Sequence, residues 1–460
     1  MSFNIREEDL IIKPYKSDNQ IHIRQQKGKY QRIRQYTGTL LILVFIALPW
    51  LSYHQQQAIL LDIEAQQFRI FDLTFFPQDL TILAWLFMAS AFALFFMTTW
   101  LGRIWCGFLC PQTVWMFMYV WVEEKIEGSR NQRIKLANGE KSRQYYLKKL
   151  SKHTVWLAMA FLTATTFMSY FVPAKTLYTE FLSMQWSGLV WFWVGLFTLC
   201  TYGNAGWLRD KMCIYMCPYS RFQSAMFDEN TMLVAYDEKR GENRGRRKRK
   251  DDHKAMGLGD CVDCNLCVEV CPAGIDIRNG LQYECISCGA CIDACDQTMS
   301  KFNYAKGLIS FTSEKRLQGQ QQKTLRPKVL SYGAFTLLAF LLMALMIHLR
   351  VPVEASIIRD RHTLYRTNFD GSVENTYQLK ITNKSQLRQS YQLEVVGVTH
   401  AKLSVSPIFS IDGQDMVIVP LTVTLAPEHL EKRMQPITFK ITALAQDDIS
   451  LEKSSYFYSG

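Results

Sequence analysis

Apolar residues along this chain are gathered into long runs rather than spread evenly. Runs at about 37–53, 80–101, 153–172, 186–202 and 330–349 have the length a helix needs to cross a bilayer. A sixth run, Val114–Val122, is too short to cross alone and is read as re-entrant or interfacial. Some 36 mostly polar residues precede the first run, which predicts an uncleaved anchor rather than a signal peptide. After Arg350 the period changes. Apolar and polar positions alternate in Thr376–Thr382, Tyr391–Val396, Met416–Thr424 and Ile437–Ala443, with turn residues at Asn383–Ser385 and Asp412–Gly413 between them. A period of two at this spacing predicts a β-sandwich of about 100 residues.

The chain has 460 residues, 48% of them hydrophobic, and a formal net charge of +11. The placement of that charge argues against nucleic acid as a partner. Arg24, Lys27, Lys29, Arg32 and Arg34 crowd the N-terminal segment, and further basic residues fill the loop at 125–152 and the stretch 209–328. The segments 54–79 and 173–185 hold one basic residue each, Arg69 and Lys175. Five crossings with an internal N-terminus leave every basic segment in the cytoplasm of a bacterial inner membrane, as the positive-inside bias requires. The basic run at 245–250 then reads as a lipid-headgroup contact or a solvated linker. The expected organisation is a cytoplasmic N-terminal segment (1–36), a four-span region (37–227), a cytoplasmic linker and cluster domain (228–328), a fifth span (329–350) and a periplasmic domain (351–460).

Cysteine placement adds the chemistry. All thirteen cysteines lie at or before Cys295, on the side where thiols stay reduced. Eight form two copies of one pattern, Cys261-x2-Cys264-x2-Cys267-x3-Cys271-Pro272 and Cys285-x2-Cys288-x2-Cys291-x3-Cys295. Bacterial ferredoxins hold two [4Fe–4S] clusters with this spacing, the fourth cysteine of each run serving the other cluster. One cluster would take Cys261, Cys264, Cys267 and Cys295, and the other Cys285, Cys288, Cys291 and Cys271. Zinc sites or disulfides would leave the third cysteine and the x3 tail idle. The segment is acidic, which suits docking beneath a basic membrane face or a cationic partner equally well.

A second sulfur motif follows the second and fourth spans, as Cys106-x3-Cys110-Pro111 and Cys213-x3-Cys217-Pro218, each preceded by a Trp-Leu pair. The repetition predicts a duplicated pair of helical hairpins whose four thiols converge. Proline suits the first helical position, so Cys110 and Cys217 are expected at helix N-caps, where the thiolate is favoured. With Met116, Met118, Met212 and Met216 nearby, the thiols make soft ligands suited to Cu(I); the bland alternative is small residues packing between helices. Cys200 reads as packing. His22, His54, His153, His253 and His348 show no pairing at ligand spacing.

Taken together, Gly102-Arg-Ile-Trp-Cys-Gly-Phe-Leu-Cys-Pro-Gln-Thr-Val-Trp115, the second Cys-x3-Cys-Pro and the double ferredoxin run resemble the membrane polyferredoxins. The finer resemblance is to the cbb3-type cytochrome c oxidase accessory proteins, the CcoG/FixG/RdxA family. It is carried by Glu127-Gly128 with Arg130, Cys291-Ile-Asp-Ala-Cys-Asp296, Arg359-Asp-Arg361 with Leu364-Tyr-Arg366, and the Tyr377–Lys384 strand. Asp296 stands where the simplest ferredoxins have proline, a departure the subgroup shares. The resemblance implies a multi-domain membrane protein with about five transmembrane helices, a 2[4Fe–4S] ferredoxin-like α+β domain and a C-terminal immunoglobulin-like sandwich. It implies reduction of Cu(II) to Cu(I) for assembly of the oxidase copper site, with Cys106, Cys110, Cys213 and Cys217 contacting copper or relaying electrons. Copper chaperones, oxidase subunits or assembly factors and a cytoplasmic electron donor are the implied partners. Two rivals remain at this point, a quinol-oxidising electron conduit and a non-enzymatic assembly scaffold.

Overall fold

A computed structural model describes residues 21–459 apart from 55, 281, 283, 361–362, 399, 431 and 445–449. Most of the N-terminal segment (1–20), and Arg361 of the resemblance, thus lie outside the described residues. The chain divides into two compact units. One comprises the chain up to Pro49, Leu86–Tyr170 and Ala174–Phe340; the other comprises Trp50–Trp85, Phe171–Pro173 and Leu341–Gly460.

The first unit is helical around a small iron–sulfur-type fold. Helix α1 (Lys29–Ala47) leads to α2 (Leu80–Leu101), the short α3 (Ile104–Phe108) and α4 (Pro111–Glu127). Next come α5 (Arg130–Asn138), α6 (Arg143–Met168), α7 (Ala174–Leu182), α8 (Gly188–Thr201) and α9 (Pro218–Met226). Among the described residues three helices are long and apolar enough to cross a membrane: Lys29–Trp50, Pro77–Leu101 and Pro327–His348, the last being α11. The apolar side chains of α2 and α11, among them Leu83, Phe87, Leu337 and Leu341, face outward. Contiguous apolar surface of that extent is stable only when lipid or protein covers it.

The other two expected spans fold differently. Helix α6 opens with Arg143, Lys148, Lys149 and Lys152 before its apolar half. Helix α8 keeps α geometry for 14 residues, then widens into a π-helical turn, Tyr202–Leu208. The short run Val114–Val122 lies inside α4, where Val114, Met116, Tyr119, Val120 and Val122 are buried. Tyr119 and Trp156 of α6 lock together reciprocally, Tyr119 Oη donating to Trp156 O (3.0 Å) and Trp156 Nε1 to Tyr119 O (3.1 Å).

Beneath these rings sits a buried charge network. The Glu123 carboxylate, 1% exposed, meets Arg133 Nη1 and Arg209 Nη2 at 3.1 Å each and Lys152 Nζ at 3.7 Å. Lys152 also reaches Glu127 at 3.0 Å. Burying these charges costs desolvation, which only close pairing offsets.

Within the cluster-bearing segment, β4 (Leu233–Tyr236) pairs antiparallel with β5 (Ile309–Thr312), so the fold extends past both ends of the cysteine runs. Val234, Ile277, Ile292, Met299, Leu308 and Ile309 form its core with Cys261 and Cys267. Helix α10 (Ala290–Phe302) carries Asp293, whose carboxylate accepts from the Tyr30 and Gln31 amides at 3.2 and 2.8 Å. An acid of the cluster domain thereby caps the first membrane helix, which has no side-chain cap of its own. The basic run at 245–250 is only partly solvated: Arg247 donates to the carbonyls of Gly259 (2.8 Å) and Cys261 (3.4 Å) and lies over the Tyr304 ring.

The second unit is a sandwich of two antiparallel sheets. One runs in the order Lys402–Leu403, Met416–Leu425, Val373–Asn383, Val353–Arg359; the other runs Ile408–Ile411, Gln389–Val396, Met434–Ala443, Ser450–Tyr458. Each alternating run in the sequence falls within one of these strands. Tyr377, Leu379, Ile381, Val423, Ile437, Phe439 and Ile441 fill the space between the sheets. The segment after α1, to which the sequence reading assigned no strands, forms a three-stranded sheet: β1 (Ile59–Asp62), β2 (Gln67–Ile70) and β3 (Leu73–Phe75). It docks on the sandwich through Gln414, which donates to Thr74 Oγ1 at 2.8 Å and accepts from Gln67 at 2.9 Å. Asp79 fixes the same junction by accepting from Arg350 (2.6 Å) and Lys384 (2.9 Å).

Replacing Glu123 with Ala leaves three buried cations short of an anion and is expected to cost about 3–5 kcal/mol. Thermal unfolding in detergent, with the exposed Glu64→Ala as control, measures it; an unchanged midpoint would show the network to be idle.

Candidate functional site

All eight cysteines of the ferredoxin runs are free thiols, as are the four of the second motif. Each Cys-x2-Cys turn uses the left-handed region at the same two places. Asp263 (φ 50°) and Asn265 (φ 55°) in the first run correspond to Ser287 (φ 53°) and Gly289 (φ 73°) in the second. Left-handed residues turn successive backbone N–H groups toward one concavity, which suits an anionic sulfur-rich guest. Two small cavities lie beneath these turns. One is lined by Cys261, Cys264, Cys267 and Cys295 with Val262, Leu266 and Arg278. The other is lined by Cys271, Cys285, Cys288 and Cys291, with Cys267 at its edge and Pro272, Ile275 and Ile286 around it. The linings mix the two runs, each cavity drawing its fourth sulfur from the run that does not supply the other three.

The donor set fits an iron–sulfur cubane better than a single ion. Among the described residues no three Cys, His, Asp or Glu side chains stand close enough to chelate one metal ion. Sulfurs spread around a cavity are what a four-iron cluster needs. Arg278 lines the first cavity and is held by Asp263 (2.7 Å), Asp276 (2.6 Å) and Asn265 (2.7 Å), so one cation is fixed beside that sulfur set.

The second motif is duplicated in geometry as well as in sequence. Cys110 and Cys217 are the N-caps of α4 and α9, with Pro111 and Pro218 at the first helical position. The Cys110 amide donates back to Trp105 O and the Cys217 amide to Met212 O, both at 2.9 Å. Thr113 Oγ1 donates to Cys106 O, and Ser220 Oγ to Cys213 O, at equivalent places. Left-handed Gly102 (φ 62°) and Arg209 (φ 47°) begin the two turns. The copies also hold one another. Gln112 of the first donates to Asn204 O (3.0 Å) and Arg209 O (3.2 Å) of the second. Tyr219 of the second donates to Leu94 O (3.0 Å) of the first.

This exchange brings the four thiols together, so that Cys213 lies within electrostatic reach of Cys106, Cys110 and Cys217. Burial pushes Cys106 up to about 11 and Cys213 up to about 12, and neighbouring thiols add to both. At the first cysteine of each pair burial thus acts against the thiolate, opposite to the effect expected at the N-caps. Of the four methionines, only Met116 packs in one cluster with Cys106. Met216 is 63% exposed and Met118 faces α1, so neither serves the thiols. Cys200 is exposed on α8, away from this cluster.

One contact joins the two sulfur regions. A Cβ added at Gly107 would stand 2.7 Å from Ser287 O and 3.0 Å from Cys288 Cα, so only glycine lets α3 lie against the Ile286–Cys288 turn. The second copy has Ile214 at the matching place. Cys106 packs against the same apolar cluster, which contains Met116, Ile286, Cys288 and Ala290. Arg103 Nη1 donates to Cys285 O (3.2 Å) and its Nη2 to Ser220 O (3.0 Å), tying the turn to the second copy. Arg34 Nη1 donates to Cys288 O at 2.8 Å. Gln223, fully buried, accepts from Cys106 Sγ at 3.5 Å. Sequence reading passed over Arg34, Arg103 and Gln223. The signal for Arg103 was available, since it precedes the first motif directly; Gln223 gave none.

Residues 208–314 match the family described as 4Fe-4S dicluster domain, and residues 343–460 the family described as IG-like fold at C-terminal of FixG. The chain is 32% identical over 443 residues to the nitrogen fixation protein FixG of Rhizobium meliloti, covering 88% of this chain and 84% of that protein. It is 34% identical over 441 residues to protein RdxB of Cereibacter sphaeroides, covering 92% and 90% respectively. Among solved structures, a FixG-related protein from Vibrio parahaemolyticus aligns at 29% identity over 23% of this chain and 95% of that one, with a TM-score of 0.21. With identity at this level sustained through both the sulfur-bearing and the sandwich portions, the chain belongs to the FixG/RdxA/RdxB family of iron–sulfur electron-transfer proteins.

Proposed function

We propose that this protein is a membrane-embedded cupric reductase, delivering single electrons to Cu(II) at Cys106, Cys110, Cys213 and Cys217. In this reading Cys261, Cys264, Cys267 and Cys295 hold one [4Fe–4S] cluster, and Cys271, Cys285, Cys288 and Cys291 hold a second. When bound, such clusters take up and release one electron at a time. The observation that carries the proposal is the close approach of Gly107, the residue after Cys106, to the Ile286–Cys288 turn, with Cys106 packed against the apolar cluster that holds Ile286 and Cys288.

The residues then divide the work. Arg103 and Arg34 hold the Cys285 and Cys288 carbonyls and so fix the distance between the two sulfur regions. Gln223 orients the Cys106 thiol. Cys106 and Cys213 keep their protons until an incoming metal displaces them, because burial disfavours the bare thiolate. Soft sulfur ligands favour Cu(I) over Cu(II), so the site stabilises the reduced product. The four thiols converge without forming a ready chelate, which leaves the metal exchangeable. That suits copper passed on to copper chaperones for assembly of a cbb3-type oxidase, whose subunits or assembly factors the outer sandwich would meet.

The topology that goes with this reading has five crossings of a bacterial inner membrane. The apolar half of α6, and α8 continued through its π-turn, complete the three longer helices. The N-terminus and cluster domain are cytoplasmic and the sandwich periplasmic, as the Lys and Arg placement favours.

Serine at all four of Cys106, Cys110, Cys213 and Cys217 is expected to leave iron–sulfur absorbance intact and abolish Cu(II) reduction. Undiminished copper reduction in that variant defeats the assignment. The cluster ligands are tested separately. Cys271→Ser and Cys295→Ser should each lower bound iron from about eight to about four atoms per chain, in anaerobic iron and sulfide counts. Loss of all iron from either variant, or of none, would contradict the crossed pairing.

A further inference from the structure

A cavity of about 350 Å³ opens between α1, α4 and the cluster-bearing segment, and neither the thiols nor the cysteine runs use it. Gly38, Phe117, Trp121 and Ala290 line it, together with Arg34 and Glu124. That volume lies in the range of small-molecule sites, which are mostly apolar with a few fixed polar groups. Two features mark it as built. Arg34 is 4% exposed and held flat, its guanidinium 4.0 Å over the Phe117 ring and its Nη1 on Cys288 O, yet its Nε has no acceptor among the described residues. Glu124 lines the same cavity, and its buried Oε2 has no hydrogen-bond partner among the described residues. Buried polar atoms without partners are uncommon, and each asks for a ligand or water.

Position supplies the rest. Ala290 lines this cavity and also the cavity of Cys271, Cys285, Cys288 and Cys291, so the two spaces share a wall at Ala290. On the other side the wall is α1, a helix apolar enough to cross a membrane, through Gly38, Thr39 and Ile42. A ligand arriving here comes through lipid, is flat and apolar, offers a polar group to Arg34 and a proton to Glu124, and stands beside a one-electron acceptor. We propose that the cavity binds a membrane hydroquinone, the electron donor that charges the cluster behind Ala290.

The step balances as an oxidation of the hydroquinone to the quinone. Both O–H bonds break and two C=O bonds form. One proton passes to the Glu124 carboxylate and the other to water at the polar mouth near Gln31 and Gln35. The two electrons leave singly, one to each [4Fe–4S] cluster in its oxidised form. The proposal rests on the cluster assignment and not on the copper reading, since it concerns how electrons enter.

The test uses the full-length protein in anaerobic nanodiscs with menadiol, a reduced naphthoquinone, and reads bleaching of the iron–sulfur absorbance with no copper present. Glu124→Gln removes the proton acceptor and Thr39→Trp fills the cavity, and neither residue touches a cysteine. Both are expected to slow bleaching by menadiol about tenfold or more, with dithionite reduction and iron content unchanged. A photoactivatable azido-quinone should label α1 and α4 peptides in the unmodified protein and lose that label in Thr39→Trp, independently of any electron transfer. Failure of menadiol to bleach the unmodified protein would overturn the proposal. So would variants that bleach at the original rate, or labelling unaffected by Thr39→Trp, either of which marks the cavity as a seat for a lipid chain only.

Discussion

The missing side chain at Gly107 is the constraint on which the arrangement depends. With any β-carbon there, α3 would collide with Ser287 O and Cys288 Cα, and the helices would have to separate from the cluster turn. Arg103, Arg34 and the Asp293 cap on α1 act in the same direction, each tying a backbone group of one element to a charged side chain of another. These are hydrogen bonds to charged partners, individually of the order of 1.5–3 kcal/mol. Together they tie α1 and α3 to the cluster-bearing segment within one compact unit.

Duplication explains how four thiols come to one place. Each Cys-x3-Cys-Pro turn begins at a left-handed residue, ends at an N-cap and carries a hydroxyl on its first carbonyl. Crossed hydrogen bonds from Gln112 and Tyr219 then bind each copy to the helix end of the other. The copies differ where their surroundings differ. The first has Gly107 where it meets the cluster turn; the second has Ile214 at that position. The second is anchored instead by Arg209, which reaches the buried Glu123. A symmetric pair of turns is in this way set with one copy against the Ile286–Cys288 turn and the other tied to Glu123.

Much of this was legible in the sequence where a feature has a short period. The sandwich strands follow from alternation, because every second residue of Met434–Ala443 must enter the core. The N-cap positions of Cys110 and Cys217 follow from the prolines after them. Features that depend on partners distant in sequence were not legible. The sheet of Ile59–Phe75 has strands of three or four residues, too short to carry a pattern, and forms against Gln414. The network at Glu123 joins residues from α4, α5, α6 and the π-turn, none adjacent in the chain. The π-turn itself gave no sign, since Tyr202–Leu208 reads as a continuation of an apolar helix. The methionines misled because sequence proximity to a cysteine says nothing about which helix face a side chain takes; Met118 is two residues from Met116 and points elsewhere.

The central claim is that electrons held at the cysteine runs reach Cu(II) through the thiols beside Gly107. Rapid-freeze paramagnetic resonance in a single turnover tests it directly, mixing pre-reduced, oxygen-free protein with one equivalent of Cu(II). The account predicts that the reduced-cluster and Cu(II) signals decay together at one rate. A Cu(II) signal that persists while the clusters stay reduced would contradict it.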